Sequence, residues 1–510
     1  MSSSGTGATG PLIKESYPLI PPFAYALIQT DPNTRETKYQ VIEVPLSTKE
    51  GEILKMIKDI LSDEFDVDFG VLREEGKARE YLRRKVMDIV KTYGIKHLKQ
   101  DEKAFEKVVY RVQRDFLGFE RIDAILKDHA IEDISCDGTG LPIYVYHRKH
   151  ESLPTNVIFE NDDELDSFVI KMAQRAGRHI SVAHPLLDAS LPDGSRIQVT
   201  YGREVTQRGS TFTIRKFRSD PLTITDMLNF GTIDEKIGAY FWLILENSGS
   251  IIISGGTASG KTSLLNSLAM FIRPGNKIVS IEDTAELNIP HENWIPSVAR
   301  AGFGVADASG RMRGQITMYD LLRAAMRQRP DFLFVGEVRG EEAYIMFQAM
   351  ATGHAGMGTI HGDSVAGVIR RLESEPMNIP RQMVQALNVI SVQRRIRRGN
   401  VNVRRSYEIQ EIVGVDPVTQ ELILNKIFAW NPRDDSFTYF GRSSLLEQIL
   451  EEQNLTMEEL NDEWDRRALV LNWMARKKIE HYEQVAEIVR DYYSAPDQTY
   501  DRARRELKTV

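Results

Sequence analysis

Gly255 and Gly260 bracket four residues and are followed directly by Lys261 and Thr262, which completes the pattern G-x-x-x-x-G-K-S/T. Each position answers a need of a nucleoside triphosphate. Glycines let backbone N–H groups approach phosphate oxygens, and the helix that opens behind the loop adds the positive end of its dipole. Gly256, Thr257, Ala258, Ser259 and Ser263 complete the cradle. Lys261 is expected to reach the β- and γ-phosphates, and the Thr262 hydroxyl to bind Mg²⁺. No Asn-Lys-x-Asp run follows the loop, which favours ATP over GTP.

Further acidic and imidazole groups recur downstream. The apolar run Phe332 to Val335 ends in Gly336-Glu337, where phosphate-loop proteins usually carry Asp-Glu. With Gly336 in the aspartate position, Mg²⁺ has fewer protein ligands. Glu337 is therefore the residue expected to face the metal and to orient or deprotonate attacking water. Glu282, Asp283 and Glu286 crowd behind the strand Ile278 to Ile281, an arrangement that needs a cation or arginines among the carboxylates. Glu282 and Glu286 are assigned to the nucleotide. The Gly-rich element from Gly353 to Gly362 carries His354 and His361, and both are assigned to the nucleotide as well, as sensors of the γ-phosphate.

These groups need a scaffold to hold them. Ile251 to Leu265 reads as a buried strand, a turn and the start of a helix, preceded by a helix over about Asp234 to Glu246. Strands recur at 278–281, 332–335 and near 358–360 between helical stretches, so a mainly parallel, helix-covered sheet is expected over 233–442. Tyr407 to Val415 and Leu422 to Trp430 read as antiparallel strands, and 443–510 as a helical region. Residues 105–217 mix helices with period-two strands such as those at 196–201 and 210–217, as an α+β domain does, and 218–232 reads as a linker. Residues 1–104 read as a flexible tail (residues 1–10), one short strand and helices. Ser47 and Glu50 form a capping box for the helix over Thr48 to Leu61.

Bulk properties narrow the class. The chain of 510 residues exceeds what one core supports, and no apolar run approaches the roughly 18 residues of a membrane span. The N-terminal stretch lacks the charged and apolar regions of a secretory signal, so a cytoplasmic location is expected, with any membrane role exerted through partners. A single cysteine, Cys136, excludes an intramolecular disulfide and a Cys-x-x-Cys zinc site. The net charge of -8 argues against a general nucleic-acid binder, and the cluster Arg394-Arg395-Ile-Arg397-Arg398 is expected on a solvated or inter-subunit face.

Four ordered boxes, namely the loop at Gly255 to Thr262, the acidic box at Glu282 to Glu286, Gly336-Glu337, and the histidine box at Gly353 to His361, resemble those of the secretion ATPases of the type II secretion, type IV pilus and archaellum superfamily. The match covers roughly Asp188 to Arg398. The resemblance implies a RecA-like ATPase domain behind a smaller α+β domain and N-terminal helices, giving an α/β fold class. It also implies a homohexamer that hydrolyses ATP with Mg²⁺ and drives filament or pseudopilus machinery through a polytopic platform protein of the cytoplasmic membrane. The family lends arginines from the domain before the linker to the nucleotide, and Arg196 and Arg215 match those positions. Bacterial assembly members commonly carry a four-cysteine zinc insertion, which one cysteine cannot build; the chain resembles the archaeal branch instead. A conjugation-type or DNA-translocating ATPase is the alternative enzyme, and a non-hydrolysing nucleotide-binding scaffold the alternative outside the enzymes.

Overall fold

The computed structural model describes residues 12–63, 75–218, 220–300, 302, 312–399 and 401–508; the stretch read as a flexible tail lies outside them. Two compact units divide between Phe217 and Arg218.

The first unit is built on strands β1 (Leu12–Ile20), β2 (Ala24–Thr30), β3 (Thr37–Glu43), β4 (Ile131–Cys136), β5 (Pro142–His147), β6 (Glu151–Ile158), β7 (Leu186–Ser190), β8 (Arg196–Thr200) and β9 (Thr211–Arg215). They form one sheet in the order β1-β2-β3-β6-β5-β4-β9-β8-β7. Neighbours are antiparallel except at β3 and β6, which meet in parallel at Tyr39 and Thr155. Period-two lettering places Ile197 and Val199 of β8 and Phe212 and Ile214 of β9 in the core, with Gln198 and Thr213 turned outward. The helix Asp162–Arg175 starts at Asn161, whose side chain accepts from the Glu164 N–H, and buries Leu165, Phe168, Val169 and Met172 in the same core. A separate apolar core joins the helices Thr48–Asp63, Glu75–Thr92 and Glu102–Phe116 through Ile57, Val86 and Val108. The first of these begins with the reciprocal Ser47 and Glu50 bonds that the sequence indicates, at 2.6 and 3.3 Å.

Strands β1 and β2 are absent from the sequence reading, which gives residues 1–104 a single short strand. Pro18 within β1 and the Pro21-Pro22 pair after it disguise the hairpin. β1 lies at the edge of the sheet, where a missing N–H leaves no neighbour unsatisfied.

The second unit is built on β10 (Ile251–Gly255), β11 (Ile278–Glu282), β12 (Trp294–Val298), β13 (Phe332–Val338), β14 (Ala355–His361), β15 (Val389–Arg398), β16 (Val401–Val415), β17 (Leu422–Asn431) and β18 (Ser436–Tyr439). The order is β12-β11-β13-β14-β10-β15-β16-β17-β18. Pairings from β12 to β15 are parallel, and those from β15 to β18 antiparallel. Every residue of β10 is buried, as a parallel strand covered on both faces requires. Ile251 and Ile253 join one core with the helices Glu235–Glu246 and Lys261–Ala269, while Ile252 joins another with Glu342–Ala351 and Val365–Glu373.

Behind this sheet, the helices of the C-terminal region share the core of Ile251 and Ile253. Trp242 stacks on Phe271 at 5.0 Å and donates from Nε1 to the Tyr493 oxygen at 2.9 Å; Tyr493 in turn donates to the Phe271 carbonyl at 2.5 Å. Phe271 follows the helix Lys261–Ala269 by two residues, so the far end of that helix is tied to the C-terminal helices. The stretch read as a linker is partly helical: Thr223 and Asp226 form a capping box for Ile224–Asn229, with Ile224 and Met227 buried. Among the described residues, no helix is long and apolar enough to cross a membrane.

Candidate functional site

Parallel strands gather chemistry at their C-terminal ends, and β10 ends at Gly255. A Cβ on Gly255 would stand 2.4 Å from the Gln393 carbonyl oxygen of β15 and 2.5 Å from Ser259 Oγ, so no larger residue fits. The chain then turns through Gly256, Thr257, Ala258 and Ser259 to Gly260, which caps the helix Lys261–Ala269. Ser259 is buried and donates to the Gly256 carbonyl at 2.9 Å. Thr257 and Ala258 are exposed, while Thr262 and Ser263 occupy the half-buried first turn. Lys261 Nζ donates to the carbonyls of Gly255 and Gly256 at 3.1 and 3.0 Å. Burial draws the Lys261 pKa below its ordinary value, against the opposing pull of the Glu337 and Glu286 charges.

Glu337 stands on a bulge. The pairing of β13 with β14 slips between Val335 and Val338, and Thr359 fixes the slip by donating its hydroxyl to the Gly336 carbonyl at 2.7 Å. Glu337 is half-buried and accepts from Arg339 Nη2 at 2.5 Å. Burial opposes its ionisation, but Arg339, Lys261 and His361 outweigh that and hold its carboxyl below the usual carboxylate range. His361 ends β14 in register with Gly255, exposed beside the loop. Lys261, Glu337 and His361 therefore converge on the same end of the sheet.

Two residues assigned to the nucleotide have other surroundings. Glu282 is buried at the end of β11, where Oε1 accepts the N–H groups of Glu286 and Leu287, both at 3.0 Å. Burial pushes its carboxyl up to about 7, with Glu286 adding to the rise and the two N–H bonds opposing it. Glu282 thus shapes its own turn, while exposed Glu286 is the acidic-box residue whose charge reaches Lys261. The close packing also accounts for Gly336. A Cβ there would stand 3.0 Å from Glu282 Cγ, so any side chain at this position requires the buried glutamate to give way by a few tenths of an ångström. His354 precedes β14, and its Nδ1 lies beside the Ala349 carbonyl and the Thr352 hydroxyl at 3.3 and 3.4 Å. The strand separates His354 from His361 by roughly 20 Å, so the two histidines mark opposite ends of the sheet.

Arg196 and Arg215 belong to the first unit, in register on β8 and β9. Arg196 forms a bidentate pair with Asp188 at 3.0 and 2.5 Å, and Arg215 pairs in register with Asp133 of β4. Cys136 is buried, as a packed residue. No cluster of three or more metal-ligating side chains occurs among the described residues.

Two features escaped the sequence reading. Arg404 of β16 donates from Nε to the Ala258 carbonyl at 3.1 Å, at the phosphate loop itself. Arg394 of β15 donates to the Asp363 carbonyl at 3.0 Å, just past His361. The arginine-rich stretch is a β-hairpin, and its pairing across the turn from β15 to β16 is what brings these side chains to the loops.

Residues 121–482 match the family described as type II/IV secretion system protein. An uncharacterized protein of Methanocaldococcus jannaschii is 37% identical over 76% of this chain and 70% of its own length. The "Probable conjugal transfer protein TrbB" of Sinorhizobium fredii is 33% identical over 38% of this chain and 57% of its own. Among solved structures, the ATPase DotB of Legionella pneumophila aligns over 71% of this chain and 92% of its own, at 17% identity and a TM-score of 0.41.

Proposed function

We propose, from the premise that this chain belongs to the type II/IV secretion system protein family, that it is a ring-forming ATPase which drives filament assembly or secretion at the cytoplasmic membrane. The observation that carries the reading is the convergence of Lys261, Glu337 and His361 on the C-terminal ends of β10, β13 and β14 around a complete phosphate loop.

In this reading Lys261 leaves the Gly255 and Gly256 carbonyls for the β- and γ-phosphates, and backbone N–H groups from Gly256 to Ser263 cradle the chain. Bound Mg²⁺ supplies charge neutralisation across the phosphates, and the residues that suit it are the Thr262 hydroxyl and Glu337. Gly336 offers no carboxylate, and Glu282 is engaged with backbone N–H groups. Glu337, kept ionised, orients the attacking water, and His361 meets the γ-phosphate. Arg196 and Arg215 are assigned to the triphosphate of a neighbouring subunit, which makes hydrolysis depend on assembly of the ring. Platform protein and filament subunits remain the assigned partners, in a cytoplasmic, membrane-peripheral location and with no direct nucleic acid. The single cysteine and the Methanocaldococcus jannaschii relative support the archaeal branch.

The TrbB relative supports a second reading as a conjugation-type ATPase. The two separate in one assay. Purified chain is expected to sediment as a hexamer and to hydrolyse ATP without stimulation by DNA, and rings mixed from Lys261→Ala and Arg215→Ala subunits are expected to regain turnover. Hydrolysis that rises with added DNA supports the second reading, and a chain that binds ATP without turnover points to a scaffold.

A further inference from the structure

We propose that Arg404 is a phosphate-contacting residue of the nucleotide site, supplied by the same chain from a strand two places away from β10; this rests on the assignment of the loop at Gly255 to Thr262 to a triphosphate.

Strand alternation sends two adjacent arginines of β16 to different destinations. Arg405 is buried and forms a two-pronged pair with Asp435, at 2.8 Å on both prongs, with Trp430 completing the carboxylate. Arg404 faces the other way, exposed, and lies against the phosphate loop. Its Nε donates to the Ala258 carbonyl at 3.1 Å, and its Cδ is 3.1 Å from where a Cβ on Gly260 would stand. A guanidinium carries five donors in a planar fork suited to two oxygens of one phosphate. Among the described residues, Arg404 meets one neutral oxygen.

Lys261 is held in the same manner on the same loop, by the neutral carbonyls of Gly255 and Gly256. Two cations thus lie against carbonyls of one short loop, and among the described residues neither is bonded to a carboxylate. An anion with several oxygens suits donors so placed on one loop. The phosphate chain of a nucleotide has that chemistry. Lys261 then serves one part of the chain, and Arg404 a second part on the side of the loop facing β16.

The test is equilibrium ATP binding to the whole chain and to three variants at position 404, with thermal unfolding of each in the absence of nucleotide. Arg404→Ala is expected to melt like the unaltered chain and to bind ATP roughly 10- to 100-fold more weakly, the effect of a lost charge-assisted bond. Arg404→Lys keeps the charge without the fork and is expected to recover part of the loss. Arg404→Gln keeps a donor for the Ala258 carbonyl without the charge and is expected to bind as weakly as Arg404→Ala. Recovery of full affinity in Arg404→Gln, or full affinity in Arg404→Ala, overturns the proposal in favour of a brace for the loop. An unaltered chain that fails to bind ATP removes the assignment of the loop itself, and with it this proposal.

Discussion

Arg467 and Lys261 are cations of the same unit, drawn out of water to different depths, and their surroundings differ in kind. Arg467 is buried among the C-terminal helices, paired with Glu246 and Glu463 and set 5.2 Å from the Trp242 ring centre. Two carboxylates match its charge, although Nη1 has no hydrogen-bond partner among the described residues, and its removal takes a buried cation away from both glutamates. Among the described residues, Lys261 is bonded to main-chain oxygens of the loop that it follows. A matched charge holds helices together, whereas a charge held on carbonyls is available to a ligand. Burial alone does not separate structural ions from functional ones; the identity of the partner does.

Breaking either side of this contrast has a distinct signature. The largest effect is expected from Lys261→Ala, with ATP turnover falling roughly 10³-fold or more and the melting temperature nearly unchanged. Glu337→Gln should match it in turnover while still binding ATP, a combination read by steady-state hydrolysis beside nucleotide titration. Arg467→Ala is expected to do the reverse. Unfolding in denaturant should show a loss of about 3–5 kcal/mol, the cost of breaking a buried pair, with turnover per folded molecule retained. Equal losses of stability and turnover in both variants would erase the distinction.

The two histidines sharpen the contrast within one strand. His361→Ala should lower kcat roughly 10- to 100-fold, whereas His354→Ala, at the far end of β14, should leave kcat within about twofold. The effect expected at Glu282 is one of pH rather than of turnover. Its folded pKa of about 7 lies above the ordinary 4.5, so between those values the folded chain keeps a proton that the unfolded chain has released. The stabilisation is fully present below about pH 4.5 and is lost as pH rises through 7, on the order of 3 kcal/mol at most. Glu282→Gln keeps an acceptor for the N–H groups of Glu286 and Leu287, and should narrow the difference in melting temperature between pH 5 and pH 8.

Legibility in the sequence followed the distance over which each feature is determined. The loop was legible because Gly255, Gly260, Lys261 and Thr262 are neighbours whose spacing is itself the geometry. Helices with local caps, such as the one opened by Ser47 and Glu50, were legible for the same reason. Gly336 showed only as a departure from pattern, since its cause is Glu282 on another strand. His354 and His361 looked alike in a glycine-rich run; only the start of β14 at Ala355 reveals that they point to opposite ends of the sheet. Arg404 was hidden because an apolar run that breaks into arginines at position 394 gives no sign that it continues as a hairpin strand and returns to the loop.

That hairpin reaches both loops through main-chain oxygens, Arg404 to the carbonyl of Ala258 and Arg394 to that of Asp363. A carbonyl is present whatever side chain its residue carries. Positions 258 and 363 can therefore change identity during divergence without dissolving the tie, whereas each arginine has no substitute of equal reach and fork. Selection on this contact should register as tolerance in the loops and intolerance two strands away, a pattern of permitted exchange that the loops' own lettering would not reveal.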